Sequence, residues 1–146
     1  MGTDGPSVIL AGIDESVTAL RAASYAAGLA RRQGAKVVAV YVASMAGLAG
    51  AATAAGPAVL AAENDLHDEI AMELADRADE TSRELGIPVT FVAAHGDPFH
   101  EITRIAEETR ADAIVVGASL KAGHRFMGSL AVRLVRAGKW PVTVVP

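Results

Sequence analysis

Short apolar runs alternate with segments of helical periodicity along this chain, and that alternation constrains its fold more than any other feature of the sequence. The helical segments place apolar residues every three or four positions, and the apolar runs occupy residues 7–13, 36–43, 88–94, 112–117 and 142–145. Apolar runs without polar alternation are typical of strands that are covered on both faces. The pattern therefore predicts an α/β fold, a doubly wound parallel sheet of five strands with helices on both faces.

Capping residues and terminators set the expected helix boundaries. Ser16 precedes the first helix, Gly34 follows it, and the pair Asp97-Pro98 opens the third. In chain order, the four helices are expected over residues 16–33, about 60–85, 97 to about 110, and 129–137. A chain of 146 residues accommodates these elements in one domain, residues 1–146.

Residues 37–62 carry no charged side chain over a length that could span a bilayer. Their second part, 46–62, is mostly Ala and Gly and is too weakly apolar for insertion, whereas 37–42 is typical of a buried strand. We therefore predict a strand followed by a flexible Ala-rich connection, and no membrane span. The first residues show no basic segment followed by an apolar run, so we expect no secretory signal and a cytoplasmic protein.

The acidic charge balance and the absence of cysteine exclude several classes of function. Lys and Arg number 13 against 17 Asp and Glu, a formal charge of −4, and no basic tract offsets this surplus. Because nucleic acids and anionic membranes bind basic surfaces, we expect neither as a partner. Without cysteine, the chain forms no disulfide, thiolate metal site or thiol nucleophile.

The other residue types used in catalysis show no catalytic spacing. The four histidines lack metal-binding spacing, and we expect His67 and His100 to be solvated on helix surfaces. Ser119 and Ser129 lack the G-x-S-x-G nucleophile elbow. No general base is evident from spacing, so we assign no catalytic residue.

The segment after the fourth predicted strand has the most informative pattern for ligand binding. It runs from Gly117 to Gly128-Ser129, where a helix begins whose first turn, which includes Leu130, has no carboxylate. Free amides at such a helix start favour an anion such as a phosphate. The alternative is that Ser129 simply caps an ordinary helix, and the local pattern alone favours that alternative. The segment is not a Walker A loop, because no Lys stands between Gly128 and Ser129.

Asp14, which closes the first predicted strand, has two interpretations. Its carboxylate could accept a hydrogen bond from the backbone where the following helix begins. Because Ser16 is the better cap for that helix, we expect Asp14 to remain available to a ligand.

Five segments make the whole chain resemble the universal stress protein family. They are VILAGIDES at 8–16, VVAVYV at 37–42, HGDPFHEI at 95–102, ADAIVVGAS at 111–119 and MGSLAVRLVRAGKWPVTVVP at 127–146. The resemblance implies the strand order 3-2-1-4-5 and, in many relatives, a dimer. We expect a homodimer in which the edge strand 142–145 pairs antiparallel with its copy.

The resemblance also implies a site for an adenine nucleotide, ATP or AMP. Family members that bind nucleotide carry G-x2-G-x9-G-[ST] in the loop after the fourth strand, and Gly117 and Gly128-Ser129 match its two ends. These members also use an Asp, which Asp14 matches, for the ribose, and backbone groups near the end of the second strand, which Val42 matches, for the adenine.

Three departures from that pattern weigh against tight nucleotide binding. Leu120 stands at the second Gly, the loop is two residues short with Gly123 as a partial substitute, and Glu15 replaces the usual Gly. Glu15 would repel phosphates unless a divalent cation such as Mg²⁺ bridges them. Two functions therefore stay open: a noncatalytic stress-response regulator that binds an adenine nucleotide, and a family member without nucleotide that acts as a dimeric interaction module.

Overall fold

Five strands and four helices alternate in a computed structural model that describes residues 4–44, 56–119 and 129–146. In chain order they are β1 (Val8–Gly12), α1 (Val17–Gln33), β2 (Lys36–Ala43), α2 (Pro57–Leu85), β3 (Val89–His95), α3 (Pro98–Glu108), β4 (Ala113–Gly117), α4 (Ser129–Ala137) and β5 (Val142–Val145). None of the helices in these ranges is long and apolar enough to cross a bilayer.

The strands form one parallel sheet in the order β3-β2-β1-β4-β5. The predicted fold class and strand order are therefore confirmed. β1 lies at the centre, with Leu10 paired to Val38 of β2 and to Ile114 of β4. β5 lies at one edge of the sheet and β3 at the other.

Alternate residues of each strand supply two separate cores. Ile9 and Ala11 face α1 and α2, whereas Leu10 faces α3 and α4. All three side chains are fully buried, because helices cover both faces of the central strand. This burial on both faces explains why polar residues do not alternate with apolar ones in the strand sequences.

Helix ends follow the predicted signals, with one correction. Ser16 caps α1 by accepting a hydrogen bond from the Ala19 amide at 3.2 Å, and Gly34 ends the helix in the left-handed conformation at φ 67°. The expectation that α2 begins near Leu60 is wrong, because Pro57 occupies its first turn and residues 57–62 are helical. The rest of the expected Ala-rich connection, residues 45–55, lies outside the described residues.

The Asp112 side chain forms hydrogen bonds that hold the start of β1, the central strand. One of its carboxylate oxygens accepts hydrogen bonds from the backbone amides of Ser7 and Val8, both at 2.9 Å. This side chain therefore fixes how β1 enters the sheet beside β4, and with it the ends of both strands, where the candidate site lies.

Candidate functional site

A cleft of about 460 Å³ opens where β1 and β4, which are neighbours in the sheet, send their connections to opposite faces. α1 follows β1 on one face and α4 follows β4 on the other. Ligands of open parallel sheets bind at such a switch point, beyond the carboxyl ends of the strands. Four of the predicted site residues line this cleft: Asp14, Val42, Gly117 and Leu130.

Asp14 is exposed at the mouth of the cleft, and its carboxylate fits both interpretations of the sequence. It accepts a backbone hydrogen bond, and it keeps one oxygen available to a ligand. Its Oδ1 accepts a hydrogen bond from the Ser16 amide at 2.7 Å, while the Ser16 hydroxyl caps α1. The Asp14 carboxylate is thereby held in position by the backbone. Its second oxygen has no hydrogen-bond partner in the described part of the chain, which leaves one acceptor facing solvent.

The wall next to Val42 is apolar. Val40 and Val42 of β2 contribute to it, together with Pro98 and Ile102 from the first turns of α3. Val40 and Ile102 are buried, and Val42 is half-buried. This wall offers a flat ligand an apolar surface at the end of β2, and Pro98 and Ile102 were not foreseen as part of it.

Gly117 is required by packing, whatever binds in the cleft. A Cβ atom at this position would lie 2.5 Å from the Thr18 carbonyl carbon and 2.6 Å from the Ala19 amide nitrogen. The first turn of α1 therefore packs directly on the backbone at the end of β4. This close approach explains why position 117 is a glycine, so Gly117 by itself does not identify a phosphate site.

Thr18 joins the first turn of α1 to the residue just beyond β4, a role that the sequence did not reveal. The side chain is buried, and its hydroxyl donates a hydrogen bond to the Ala118 carbonyl at 2.7 Å. The hydroxyl thereby satisfies a carbonyl just beyond β4. A Thr in the first turn of the helix after a central strand was the only signal available for it.

The phosphate side of the expected site is only partly within the described residues. α4 begins at Ser129 and has no acidic residue in its first turn, and Leu130 lines the cleft. Gly123, Gly128 and Leu120 lie outside the described residues. The amides at the start of α4 thus lie at the same end of the sheet as Asp14, as the sequence predicts.

Two carboxylates follow one another just after β1, and only that of Asp14 lines the cleft. Glu15, like Asp14, is exposed. Burial raises the pKa of the nearby Tyr41 phenol, and the charges of Glu15 and Asp14 raise it further. Across residues 4–44, 56–119 and 129–146, no three His, Asp or Glu side chains are grouped to hold a metal ion.

His67 is not simply solvated, as was expected, because it pairs with Tyr41. The Tyr41 hydroxyl lies 2.7 Å from the His67 Nδ1 atom, and the histidine is half-buried. Tyr41 is 6% exposed, and this partly buried hydrogen bond joins β2 to α2.

Comparisons with known proteins agree with the fold. The model of the universal stress protein family matches residues 7–146. Universal stress protein MJ0531 of Methanocaldococcus jannaschii is 32% identical over 134 residues, which cover 90% of this chain and 77% of that protein. The structure of UspA from Lactobacillus plantarum superposes with a TM-score of 0.76 at 25% identity, covering 96% of this chain and 97% of that one.

Two further structures with similar folds contain nucleotides. A universal stress protein in complex with cAMP has a TM-score of 0.64 and covers 98% of each chain. The universal stress protein from Archaeoglobus fulgidus in complex with dAMP has a TM-score of 0.61 and covers 95% of this chain and 96% of that one. Each is 23% identical to this chain, a level at which the likeness concerns the fold.

Proposed function

This chain belongs to the universal stress protein family, and from that premise we propose that it binds an adenine nucleotide, ATP or AMP, in the cleft between β1 and β4. One observation carries the proposal. Side chains or backbone from Asp14, Val42, Gly117 and Leu130, which are distant in sequence, line a single cleft. Its volume of about 460 Å³ lies in the range of small-molecule sites.

Each part of a nucleotide has a matching surface in the proposed site. The free oxygen of Asp14 accepts a ribose hydroxyl, and the apolar wall at Val42 receives the adenine. The phosphates lie toward Gly117 and the start of α4 at Ser129 and Leu130, where unpaired amides favour anions. Gly123 and Gly128 belong to the same proposed phosphate site.

The proposed activity is binding without turnover. No general base among the described residues is held by hydrogen bonds at the phosphate side of the cleft, and no catalytic residue is assigned. Mg²⁺ enters the proposal for an electrostatic reason. A divalent cation between the phosphates and the carboxylates of Asp14 and Glu15 would remove their repulsion. Nucleotide occupancy would then act in regulation, by shifting a conformational or partner equilibrium.

A second candidate is favoured by the negative charge of Glu15 next to the cleft residue Asp14. Glu15 adds a negative charge beside Asp14, and one oxygen of Asp14 is already bonded to the Ser16 amide. The charge of Glu15 weakens the attraction for a phosphate, and the bond to Ser16 leaves Asp14 a single free oxygen for a ribose. The second candidate is therefore a dimeric interaction module of the same family that binds no nucleotide.

Mass spectrometry of freshly purified, denatured protein separates the two candidates. Release of AMP, ADP or ATP supports the proposed nucleotide site. Calorimetric titration with ATP, in the presence and absence of Mg²⁺, then measures the affinity directly. A flat titration under both conditions, together with the absence of released nucleotide, contradicts the nucleotide proposal and favours the interaction module.

Neighbouring carboxylates provide a matched pair of variants for placing the nucleotide. Asp14→Asn keeps an acceptor for the Ser16 amide but removes the charged partner of the ribose, so ATP should bind about tenfold more weakly. Glu15→Gln removes the repulsive charge, so ATP should bind about threefold more tightly without Mg²⁺. Equal affinities for both variants and the parent protein would contradict the proposed placement.

We propose a homodimer as the assembled state, with β5 pairing antiparallel with its copy. β5 lies at an edge of the sheet, and all four of its residues are only partly buried. An edge strand presents backbone groups that a second strand can pair. Light scattering over a range of concentrations tests this, and a monomer at every concentration would contradict it.

A further inference from the structure

A second and larger cavity lies on the face of the sheet that carries α1 and α2. It is an open groove of about 560 Å³ between the two helices, separate from the proposed nucleotide site. Its floor is apolar and consists of side chains such as Ala27, Ala39, Leu74 and Ala78, all of them buried or nearly so.

The groove exists because the facing side chains are small. Ala23 and Ala27 line it from α1, and Ala78 lines it from α2. α1 lies close to the sheet through further alanines, among them Ala22 and Ala26, which are fully buried. Methyl groups cannot fill the space between two helices that both rest on the sheet, so an apolar channel stays open to solvent.

The rim of the groove is acidic on the α2 side. Glu80 and Glu84 line it, and both are exposed. Arg77 lines it as well, but its guanidinium is paired with Glu73, so the unpaired charges at the rim are acidic. α2 as a whole has nine acidic residues against two arginines, although the entire chain carries a formal charge of only −4. Within the described part of the chain, Glu73 is the single carboxylate of α2 in an ion pair, at 3.3 Å from Arg77. The other carboxylates of this helix form no ion pair within the described residues.

We propose that this groove binds a cationic amphipathic helix of a partner protein. Apolar side chains at positions i, i+3, i+4 and i+7 of that helix would occupy the floor, and its Lys or Arg side chains would pair with Glu80 and Glu84. On α1, the lining runs from Leu20 to Ala27, about 10 Å of helix length. This length matches two turns of a bound helix.

Charge complementarity selects this occupant over the others. The acidic rim repels nucleic acid and anionic lipid. A second copy of the chain would bring another α2 with its nine acidic residues against the first, which like-charge repulsion disfavours. An apolar small molecule would fill the floor but would leave the carboxylates of Glu80 and Glu84 without cations.

The test uses a designed probe, a synthetic peptide of about 14 residues with leucines at helical spacing and lysines elsewhere. The reference peptide has glutamate in place of every lysine. Titration into ¹⁵N-labelled protein should shift the amide signals of the groove-lining residues, and the lysine peptide should bind at least about tenfold more tightly at low salt. Equal binding of both peptides, or shifts that map to another surface, overturns the proposal.

Charge reversal on α2 has a matched control. Glu80→Lys with Glu84→Lys should weaken lysine-peptide binding about tenfold, because both positions line the groove. Asp76→Lys with Asp79→Lys changes the charge of the same helix equally at exposed positions that do not line it, and should weaken binding less than about threefold. Equal losses in the two double variants would show that only the net charge matters and would overturn the groove as the site.

A bulky side chain placed in the groove tests peptide binding without changing the charge of the protein. Ser24 is exposed and lines the groove, so Ser24→Phe should occupy it and abolish peptide binding. Val17→Phe adds the same ring to α1 at an exposed position that does not line the groove, keeps the charge, and should leave binding unchanged. Circular dichroism checks both folds. Full binding to a folded Ser24→Phe variant overturns the proposal.

Discussion

The two faces of the sheet are covered in different ways, although they share the same strands. On the face of α3 and α4, branched side chains such as Ile102, Ile105 and Leu134 are at most 2% exposed and fill the interior. On the face of α1 and α2, α1 contributes mainly alanines. Small side chains let a helix approach the sheet closely but cannot fill the space beside it. The alanines of α1 therefore explain both the close packing of this helix on the sheet and the open groove beside it.

Truncation of a leucine on each face should show the largest difference. Leu134 is fully buried in the core on the face of α3 and α4, so Leu134→Ala should lower the free energy of unfolding by about 3 kcal/mol. Leu85 is half-buried at the groove, so Leu85→Ala should cost about 1 kcal/mol. Urea denaturation measures both. Equal losses would mean that the groove is as tightly packed in solution as the opposite face.

The close approach of α1 can be tested with one substitution at two glycines. Gly117→Ala places a methyl group 2.5 Å from the Thr18 backbone, and we expect it to destabilise the fold by about 2 kcal/mol. Gly28→Ala lies within α1, where a methyl group meets only the flexible Arg32 side chain at 3.4 Å, and should stabilise by about 0.5 kcal/mol. Thermal unfolding distinguishes the signs. A neutral Gly117→Ala would contradict the contact between α1 and β4.

The order of elements could be predicted from sequence because burial on both faces leaves a readable pattern. Apolar runs without alternation mark strands such as β1, and residues such as Ser16 and Gly34 mark helix ends by their local chemistry. The start of α2 was misplaced because an Ala-rich segment has almost no periodicity. Pro57 was the one local signal there, and it is the first residue of the helix.

The candidate site was predictable only where a strand end supplied a polar residue or a glycine. Asp14 and Gly117 follow or end central strands, so their meeting at one cleft follows from the parallel topology. Thr18 and the Tyr41–His67 pair depend on contacts between residues far apart in sequence. The groove beside α2 has the same origin, since its alanines look like ordinary core residues until two helices are placed side by side.

Polar contacts also tie the elements on each face together, and the one between Asp97 and Arg133 is exposed. Asp97 accepts a hydrogen bond from the His100 amide at 3.0 Å and lies 3.1 Å from the Arg133 guanidinium of α4. The amide and the guanidinium lower the pKa of the Asp97 carboxyl. Because the folded pKa lies below the unfolded value, this stability is present above that unfolded value and is lost as the pH falls through the folded one.

Replacement of this cap should have a moderate effect. Asp97→Ala should lower the free energy of unfolding by about 1 kcal/mol at neutral pH, mostly through loss of the cap to α3. Asp97→Asn keeps a capping oxygen and should cost less. In both variants the difference from the parent protein should shrink on going to acid pH. Denaturant titrations at several pH values measure it, and a constant difference would contradict the contribution of the charge.

The contact between Tyr41 and His67 on the face of α1 and α2 is partly buried, and it should respond to alkali instead of acid. Burial and the nearby charges of Glu15 and Asp14 raise the pKa of Tyr41, so its hydroxyl stabilises the fold below the unfolded value of about 10. That contribution is lost as the pH rises through the folded pKa. Tyr41→Phe, which also removes the bond to His67, should cost about 0.5 kcal/mol at neutral pH.

The alkaline side of this prediction can be read from one side chain. The chain has two tyrosines, so Tyr25→Phe leaves Tyr41 as the single phenol to follow by ultraviolet absorbance. Its titration should lie above that of a free tyrosine. The stability of Tyr41→Phe should also fall less steeply above pH 10 than that of the parent protein. A free-tyrosine titration in the folded Tyr25→Phe variant would mean that the hydroxyl is solvated, and that α2 does not rest on β2 at His67.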